Sequence, residues 1–244
     1  MESSQLNIEI FEDVDSICER AATFIVDLAG KSIEARGQFA LSLSGGHTPE
    51  KLYTLLSSQQ FAHKIDWHKT FIFWGDERCV PAGDDKNNAH MAKTLLLNKI
   101  DIPVANIFTI PVNLPPAESA IQYEQEIKKF FGTRPPHFDL ILLGLGENGH
   151  TASLFPGTAI VQEQSFLVKE VYIPEQKMFR ISMTASLINF ARNILFLVAG
   201  KEKAQILNTV LNTAYQPDKY PAQMIRPSTG NLYWFADKSA VALL

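Results

Sequence analysis

ILLGLGENGHTASLFPG, residues 141–157, decides how this chain is read. An apolar run ends at Leu143, and Gly144-x-Gly146-x-x-Gly149 follows at once. That spacing matches the dinucleotide-binding fingerprint. The fingerprint, however, needs its last glycine packed inside a long helix, early in a β-α-β unit. Here the stretch lies mid-chain, and Pro156 stops any helix within about two turns of Gly149. Nor is Ser153 a nucleophile elbow, since Thr151-Ala152-Ser153-Leu154-Phe155 lacks the flanking glycines. What remains is His150, presented by a tight glycine turn at the carboxyl end of a strand. A lone histidine is often structural, but this setting suits acid–base chemistry.

Outward from this loop, short apolar runs alternate with helical patterns. Leu6–Phe11, Phe39–Leu43, Thr70–Trp74, Asn106–Ile110, Phe138–Leu143, Ile194–Ala199 and Leu232–Phe235 read as strands. Phe138–Leu143 and Ile194–Ala199 are almost continuously apolar, as in strands buried on both faces of a parallel sheet. Asp15–Glu34, Pro49–Leu56, Asn88–Leu97, Glu118–Phe131 and Lys201–Leu211 read as helices. The alternation predicts a single α/β domain over residues 1–244, with a doubly wound, mostly parallel, Rossmann-like sheet. Two strand-like runs within Phe166–Thr184, with Pro174 between them, break the pattern. They suggest a small β subdomain within 160–185 that could close over a site.

Ligands of open α/β sheets sit beyond the carboxyl ends of the strands. Four loops therefore matter. Ser44-Gly45-Gly46-His47-Thr48-Pro49-Glu50 leads into a helix, with Thr48 as a cap and Pro49 in the first turn. Its N–H groups could cradle an anion, or it is an ordinary strand-to-helix turn. Gly75-Asp76-Glu77-Arg78 is either a solvated turn or an arginine for phosphate beside an orienting carboxylate. The third loop is the His150 loop. In the fourth, Lys203 falls in the first turn of a helix, where a cation opposes the dipole and invites an anion. Arg180, at the start of an alternating strand, is a clamp or an edge residue.

Composition narrows the classes. The 244 residues are 46% hydrophobic and 20% charged, as in a globular protein. The net charge of −4 gives no basic field for nucleic acid. An anionic ligand must therefore be gripped by a local cluster. Cys18 and Cys79 stand in no metal-type spacing, and the six histidines form no His-Glu-x-x-His pattern, so no metal or other cofactor is expected. The acidic N-terminal stretch MESSQLNIEIFEDVD does not resemble a signal or transit peptide, and no run approaches about 18 consecutive apolar residues. A cytoplasmic protein without membrane partner, and a monomer, is expected.

Taken together, Ser44-Gly45-Gly46-His47-Thr48-Pro49, Gly75-Asp76-Glu77-Arg78 and Gly144-x-Gly146-x-x-Gly149-His150-x-Ala152-Ser153-Leu154-Phe155-Pro156-Gly157 resemble the signatures of the 6-phosphogluconolactonase family. The resemblance implies a fold shared with glucosamine-6-phosphate deaminases. It also implies hydrolysis of 6-phospho-D-glucono-1,5-lactone to 6-phospho-D-gluconate, the second step of the oxidative pentose phosphate pathway. His150 would be the general base. Ser44, Gly45, Gly46, Arg180 and Lys203 would hold the phosphate, with Arg78 close by. Asn88 matches an asparagine of the family's Ser-Asn pair, with Asn87 in place of the serine, and would steady the loop after Arg78. One departure stands out: the family commonly has Asp where this chain has Asn148. Asn148, Glu147 or Asp76 would then orient His150. Two other readings are an amino-sugar-phosphate isomerase/deaminase and a non-catalytic sugar-phosphate sensor. The first has Asn-Glu-Pro in its histidine motif, where Leu154-Phe155-Pro156 stands here.

Overall fold

The computed structural model describes residues 7–244, and these form nine strands and six α-helices. In chain order they are β1 (Asn7–Phe11), α1 (Val14–Arg36), β2 (Phe39–Leu43), α2 (His47–Leu56), β3 (Thr70–Trp74), β4 (Asp76–Arg78), α3 (Asn88–Leu95), α4 (Pro116–Phe131), β5 (Leu140–Gly144), β6 (Val168–Ile173), β7 (Met178–Met183), α5 (Ala185–Ile188), β8 (Asn193–Val198), α6 (Ala204–Asn212) and β9 (Asn231–Asp237). Leu6, the expected start of the first strand, lies outside the described residues.

Six strands form one parallel sheet in the order β1-β9-β8-β5-β2-β3. From β2 the chain winds outward to β3. From β5 it winds the other way, through β8 to β9. The winding therefore reverses between β2 and β5, the crevice where doubly wound sheets bind ligands. Helices α1 and α2 pack against each other beside the sheet, and α4 packs along strands β6 and β7. Strands β2 and β8 are buried along their whole length, which explains their mostly apolar sequences, broken only by Ser42 and Asn193. Helix α1 is set locally: Asp13 caps it by accepting from the Ser16 N–H, and Gly37 ends it in a left-handed conformation.

Two buried tyrosines fix the ends of the strands that lead to the crevice. The Tyr53 hydroxyl bonds both the N–H and the carbonyl of Ser44, just past β2. The Tyr123 hydroxyl does the same for Trp74, at the end of β3. At the opposite end, the pairing of β2 with β5 is short, Leu41 with Leu140 and Ser42 with Ile141. It is reinforced by Asp139. One carboxylate oxygen accepts from the Ala40 N–H at 2.8 Å, and the other lies 2.7 Å from Arg36 Nη2 and 3.5 Å from Arg192 Nε.

The expected 160–185 insertion is a hairpin, β6 and β7, turned at Pro174–Gln176. It is joined by β4 into a three-stranded antiparallel sheet in the order β4-β7-β6. The Met183 N–H donates to the Gly75 carbonyl, tying this sheet to the end of β3. Asp76-Glu77-Arg78 is thus a strand, with Asp76 and Glu77 buried, and not a solvated turn.

Several local expectations are corrected. Asn106–Ile110 is not a strand. Its backbone pairs with β3 only at an Ile72–Ile107 bridge, because Asn106 ends a tight turn and spends its side-chain amide on the His68 and Thr70 carbonyls. Helix α2 begins at His47, after a Gly46 cap, so Thr48 is inside the helix and caps nothing. Lys201–Lys203 form a 3₁₀ turn, and α6 starts at Ala204. Lys203 therefore stands at the N-cap of α6 rather than in its first turn.

The Asp139 contacts make a stability prediction. Asp139→Ala leaves the Ala40 N–H unpaired in the sheet and two arginines without their carboxylate, and should lower unfolding free energy by about 2–4 kcal/mol in denaturant titration. Asp139→Asn keeps an acceptor for Ala40 and should cost roughly half as much.

Candidate active site

The loops after β2, β4, β5 and β8 meet at the crevice and line a cleft of about 390 Å³. Ser44, Gly45, Gly46, Asp76, Arg78, Asn88, His150, Arg180 and Lys203 all face it, so the expected site residues are brought together. Glu147 also lines it, whereas Asn148 reaches the site only through His150.

The cationic half is built across two elements. Arg78 and Arg180 are register partners on β4 and β7, which puts their side chains on the same face. Arg180 is held by Asp76 at 3.4 Å and by the Gln176 side-chain carbonyl at 2.6 Å. Arg78 donates from Nη1 to the Lys86 carbonyl. The Nε atoms of both arginines, and the Ser44 hydroxyl, are buried without a hydrogen-bond partner among the described residues. Buried donors are seldom left so, and three around one cleft mark a place for an acceptor-rich ligand. Lys203 Nζ adds a cation, 4.0 Å from the exposed Glu147 carboxylate. Gly45 passes so close to Asn88 that a Cβ there would fall 2.0 Å from the Asn88 amide oxygen. Asn88 in turn donates to the Asp76 carbonyl, tying the start of α3 to β4.

The histidine half is held within its own loop. The Gly146 N–H donates to the His150 carbonyl, and the imidazole lies directly on Gly146, where any Cβ would fall 2.0 Å from the ring. The Asn148 amide oxygen accepts from the His150 backbone N–H at 3.2 Å, which fixes the orientation of that amide. The same oxygen lies 2.5 Å from His150 Nδ1. Nδ1 must then carry the proton, leaving the Nε2 lone pair free. Burial pushes the His150 pKa down to about 4, Asp76 opposes this, and Arg180, Lys203 and Arg78 add to it. The free protein thus carries a neutral imidazole at ordinary pH. Phe155 stacks on the ring with centroids 4.0 Å apart.

Asp76 has a different position from the one expected of a partner for His150. Its carboxylate accepts from the Ser153 hydroxyl at 2.6 Å and faces Arg180. It orients the arginine, and the imidazole belongs to Asn148. Sequence reasoning passed over Gln176, rejected Ser153 as a nucleophile, and gave Phe155 and Glu77 no role of their own beyond their motifs. Glu77 is buried, and its carboxylate accepts from the N–H groups of Arg78, Asn88 and Ala89 at 2.7–2.8 Å. Burial pushes its pKa up to about 7 against those donors. Its signal was present in the sequence as a second acid at a strand end, with nothing to show that it caps α3 from another element. Among the described residues, no three histidine, cysteine or carboxylate side chains converge to hold a metal ion.

The family described as glucosamine-6-phosphate isomerases/6-phosphogluconolactonase matches residues 12–234. A 6-phosphogluconolactonase of Synechocystis is 38% identical over 96% of each chain, and that of Rattus norvegicus is 33% identical over 97% of this chain and 93% of its own. The solved structure of a 6-phosphogluconolactonase from Trypanosoma cruzi superposes with a TM-score of 0.86, at 28% identity, over 99% of this chain and 98% of that one. A monomeric glucosamine-6-phosphate deaminase shares the fold, with a TM-score of 0.83 at 20% identity over 98% of this chain and 100% of its own. By sequence match and by fold, the chain belongs to the glucosamine-6-phosphate isomerase/6-phosphogluconolactonase family.

Proposed function

We propose that this protein hydrolyses 6-phospho-D-glucono-1,5-lactone to 6-phospho-D-gluconate in the cytoplasm, using no metal, with His150 as general base. The observation that carries this reading is the pairing, in one cleft, of a neutral histidine with the cationic side chains of Arg78, Arg180 and Lys203. A sugar-phosphate lactone needs both: a grip for its dianion and a base for water. The two unpaired cysteines fit a reducing compartment. Among the described residues no helix is long and apolar enough to cross a membrane.

Arg180, Lys203 and the Ser44-Gly45-Gly46 segment bind the phosphate, with Arg78 beside them. Water attacks the lactone carbonyl carbon while His150 Nε2 takes its proton. The resulting oxyanion is met by cleft donors, either Arg78 or loop N–H groups. Its collapse breaks the bond from the carbonyl carbon to the ring oxygen. The imidazolium returns the proton to that oxygen, which leaves as the free hydroxyl. Asn148 fixes the tautomer, and its uncharged oxygen stabilises the imidazolium less than a carboxylate would. Leu154-Phe155 supplies no polar pair for isomerisation or deamination, which favours lactone hydrolysis over the sister activity. Acid release from the lactone and ammonia release from glucosamine 6-phosphate, followed side by side, separate the two activities; neither would leave the sensor reading.

His150→Ala should lower turnover by about 10²–10⁴-fold, the usual scale for a general base, while 6-phosphogluconate still binds. Turnover near wild type, measured above spontaneous hydrolysis, would sink the mechanism. The neutral imidazole is the active form, so kcat/KM should hold steady at mild acidity and fall as pH drops through about 4. A bound phosphate dianion favours imidazolium, so the acid limb of kcat should lie at higher pH than that of kcat/KM.

Asn148→Asp places a charge at Nδ1 and should move both limbs to higher pH and raise turnover. An unchanged profile would show that the amide already suffices. Lys203→Ala should raise KM for the phosphorylated lactone by about tenfold or more, yet barely alter hydrolysis of unphosphorylated gluconolactone. Equal losses on both substrates would make Lys203 structural.

A further inference from the structure

His150 and Arg180 come from different sheets, yet both rest against one phenyl ring. The imidazole stacks on Phe155 with centroids 4.0 Å apart and 14° between planes. The Arg180 guanidinium carbon lies 5.3 Å from the centroid of the same ring. Phe155 itself is buried and has little freedom. Its N–H donates to the Ser153 carbonyl, its own carbonyl accepts from both the N–H and the hydroxyl of Thr158, and Pro156 follows.

The two groups it touches are less fully held. A hydrogen bond at Nδ1 and the close approach of Gly146 hold one edge of the imidazole, which still permits some tilt of the ring about that bond. A flat surface at van der Waals distance removes the tilt. Arg180 keeps an unpartnered Nε, and the negative face of an aromatic ring attracts a guanidinium while leaving its N–H groups available to a ligand.

We infer that Phe155 is a positioning residue for the proposed hydrolysis, an aromatic platform that sets the plane of His150 and its placement relative to Arg180. The inference rests on the reading of His150 as base and Arg180 as phosphate ligand. Under that reading, the span from the attacked carbonyl to the phosphate depends on one side chain that both groups share, beside the separate hydrogen bonds that hold each of them. Removing the ring should therefore impair turnover more than binding, since the phosphate can still reach Arg180 and Lys203 while the base no longer points at the carbonyl. It should also admit water to the face of the imidazole and ease its protonation. The charged and titratable groups that line the cleft with His150 are His47 at the start of α2, Glu147 in its own loop, Asp76 and Arg78 from β4, Arg180 from β7, and Glu202 and Lys203 before α6. All of them remain in a Phe155 variant.

The test compares Phe155→Leu and Phe155→Met, which lack the ring, with Phe155→Tyr, which keeps it. The ringless variants should lose about tenfold or more in kcat with KM changed less than about threefold, and Phe155→Tyr should stay within about threefold of wild type. By NMR in the free protein, the His150 titration midpoint should rise by about one unit or more in the ringless variants and stay near wild type in Phe155→Tyr. Ringless variants that fold yet keep wild-type kcat and midpoint overturn the proposal. So does a Phe155→Tyr variant as impaired as Phe155→Leu. The titration needs no turnover, so it still judges Phe155 if the lactonase reading fails. Should neither ringless variant fold, the wild type decides: His150 ring protons should show an upfield ring-current shift and contacts to the Phe155 ring. Their absence overturns the stack.

Discussion

A carboxylate outside every motif, Asp139, holds the sheet where its winding reverses. The reversal opens a crevice, and a crevice is a weak seam. Strands β2 and β5 share only a short stretch of pairing there, and above it their chains part to make the site. Asp139 compensates at the lower end by accepting from the Ala40 N–H while drawing in Arg36 and Arg192. The carbonyl of the same residue accepts from Asn193, which extends the tie to β8. Three adjacent strands are thus registered below the point where the loops diverge. Misregistration there would shift the Ser44 and His150 loops against each other, and the cleft exists only through their alignment.

Above the seam, the site follows a division of labour between two sheets. The parallel sheet supplies the glycine loop, the base and the lysine. The small antiparallel sheet supplies both arginines as one cross-strand pair. Gly75 joins the two, since the chain leaves β3 for β4 there and Met183 hydrogen-bonds back to it. The Asp76 network and the Phe155 ring then span from one sheet to the other. This is why the hairpin is better understood as a wall of the site than as an appendage to it.

Much of this was legible in sequence because it is local. Burial on both faces wrote mostly apolar runs into β2, β5 and β8. Positive-φ and close-approach glycines marked the loops. Pro156 excluded a dinucleotide helix. Residues whose meaning comes from distant partners were not legible. Asp76 meets Ser153 and Arg180, 77 and 104 positions away, so its role could not be divided between base and arginine beforehand. Phe155 reads as core filler in any hydrophobic count, and its two polar neighbours come from spatial packing alone. Asp139 reads only as the polar interruption of the apolar strand run Phe138–Leu143. Asn106 misled the strand reading because its side chain, rather than its backbone, satisfies the edge of β3.

The edge strand β1 pairs with β9, Asn7 opposite Tyr233 and Phe11 opposite Asp237. Helix α1 is also completed by that distant strand, with Phe24 packed edge-on against Tyr233 and Phe235. During synthesis, at roughly 5–20 residues per second, β1 and the apolar face of α1 wait on the order of tens of seconds for their partner. The earliest helix of the nascent chain therefore emerges with part of its sticky face uncovered, and the sheet closes around it from the far end. Such long-range closure raises contact order and slows folding. The strand order that creates the ligand crevice thus leaves part of the first helix's apolar face exposed until the last strand is made.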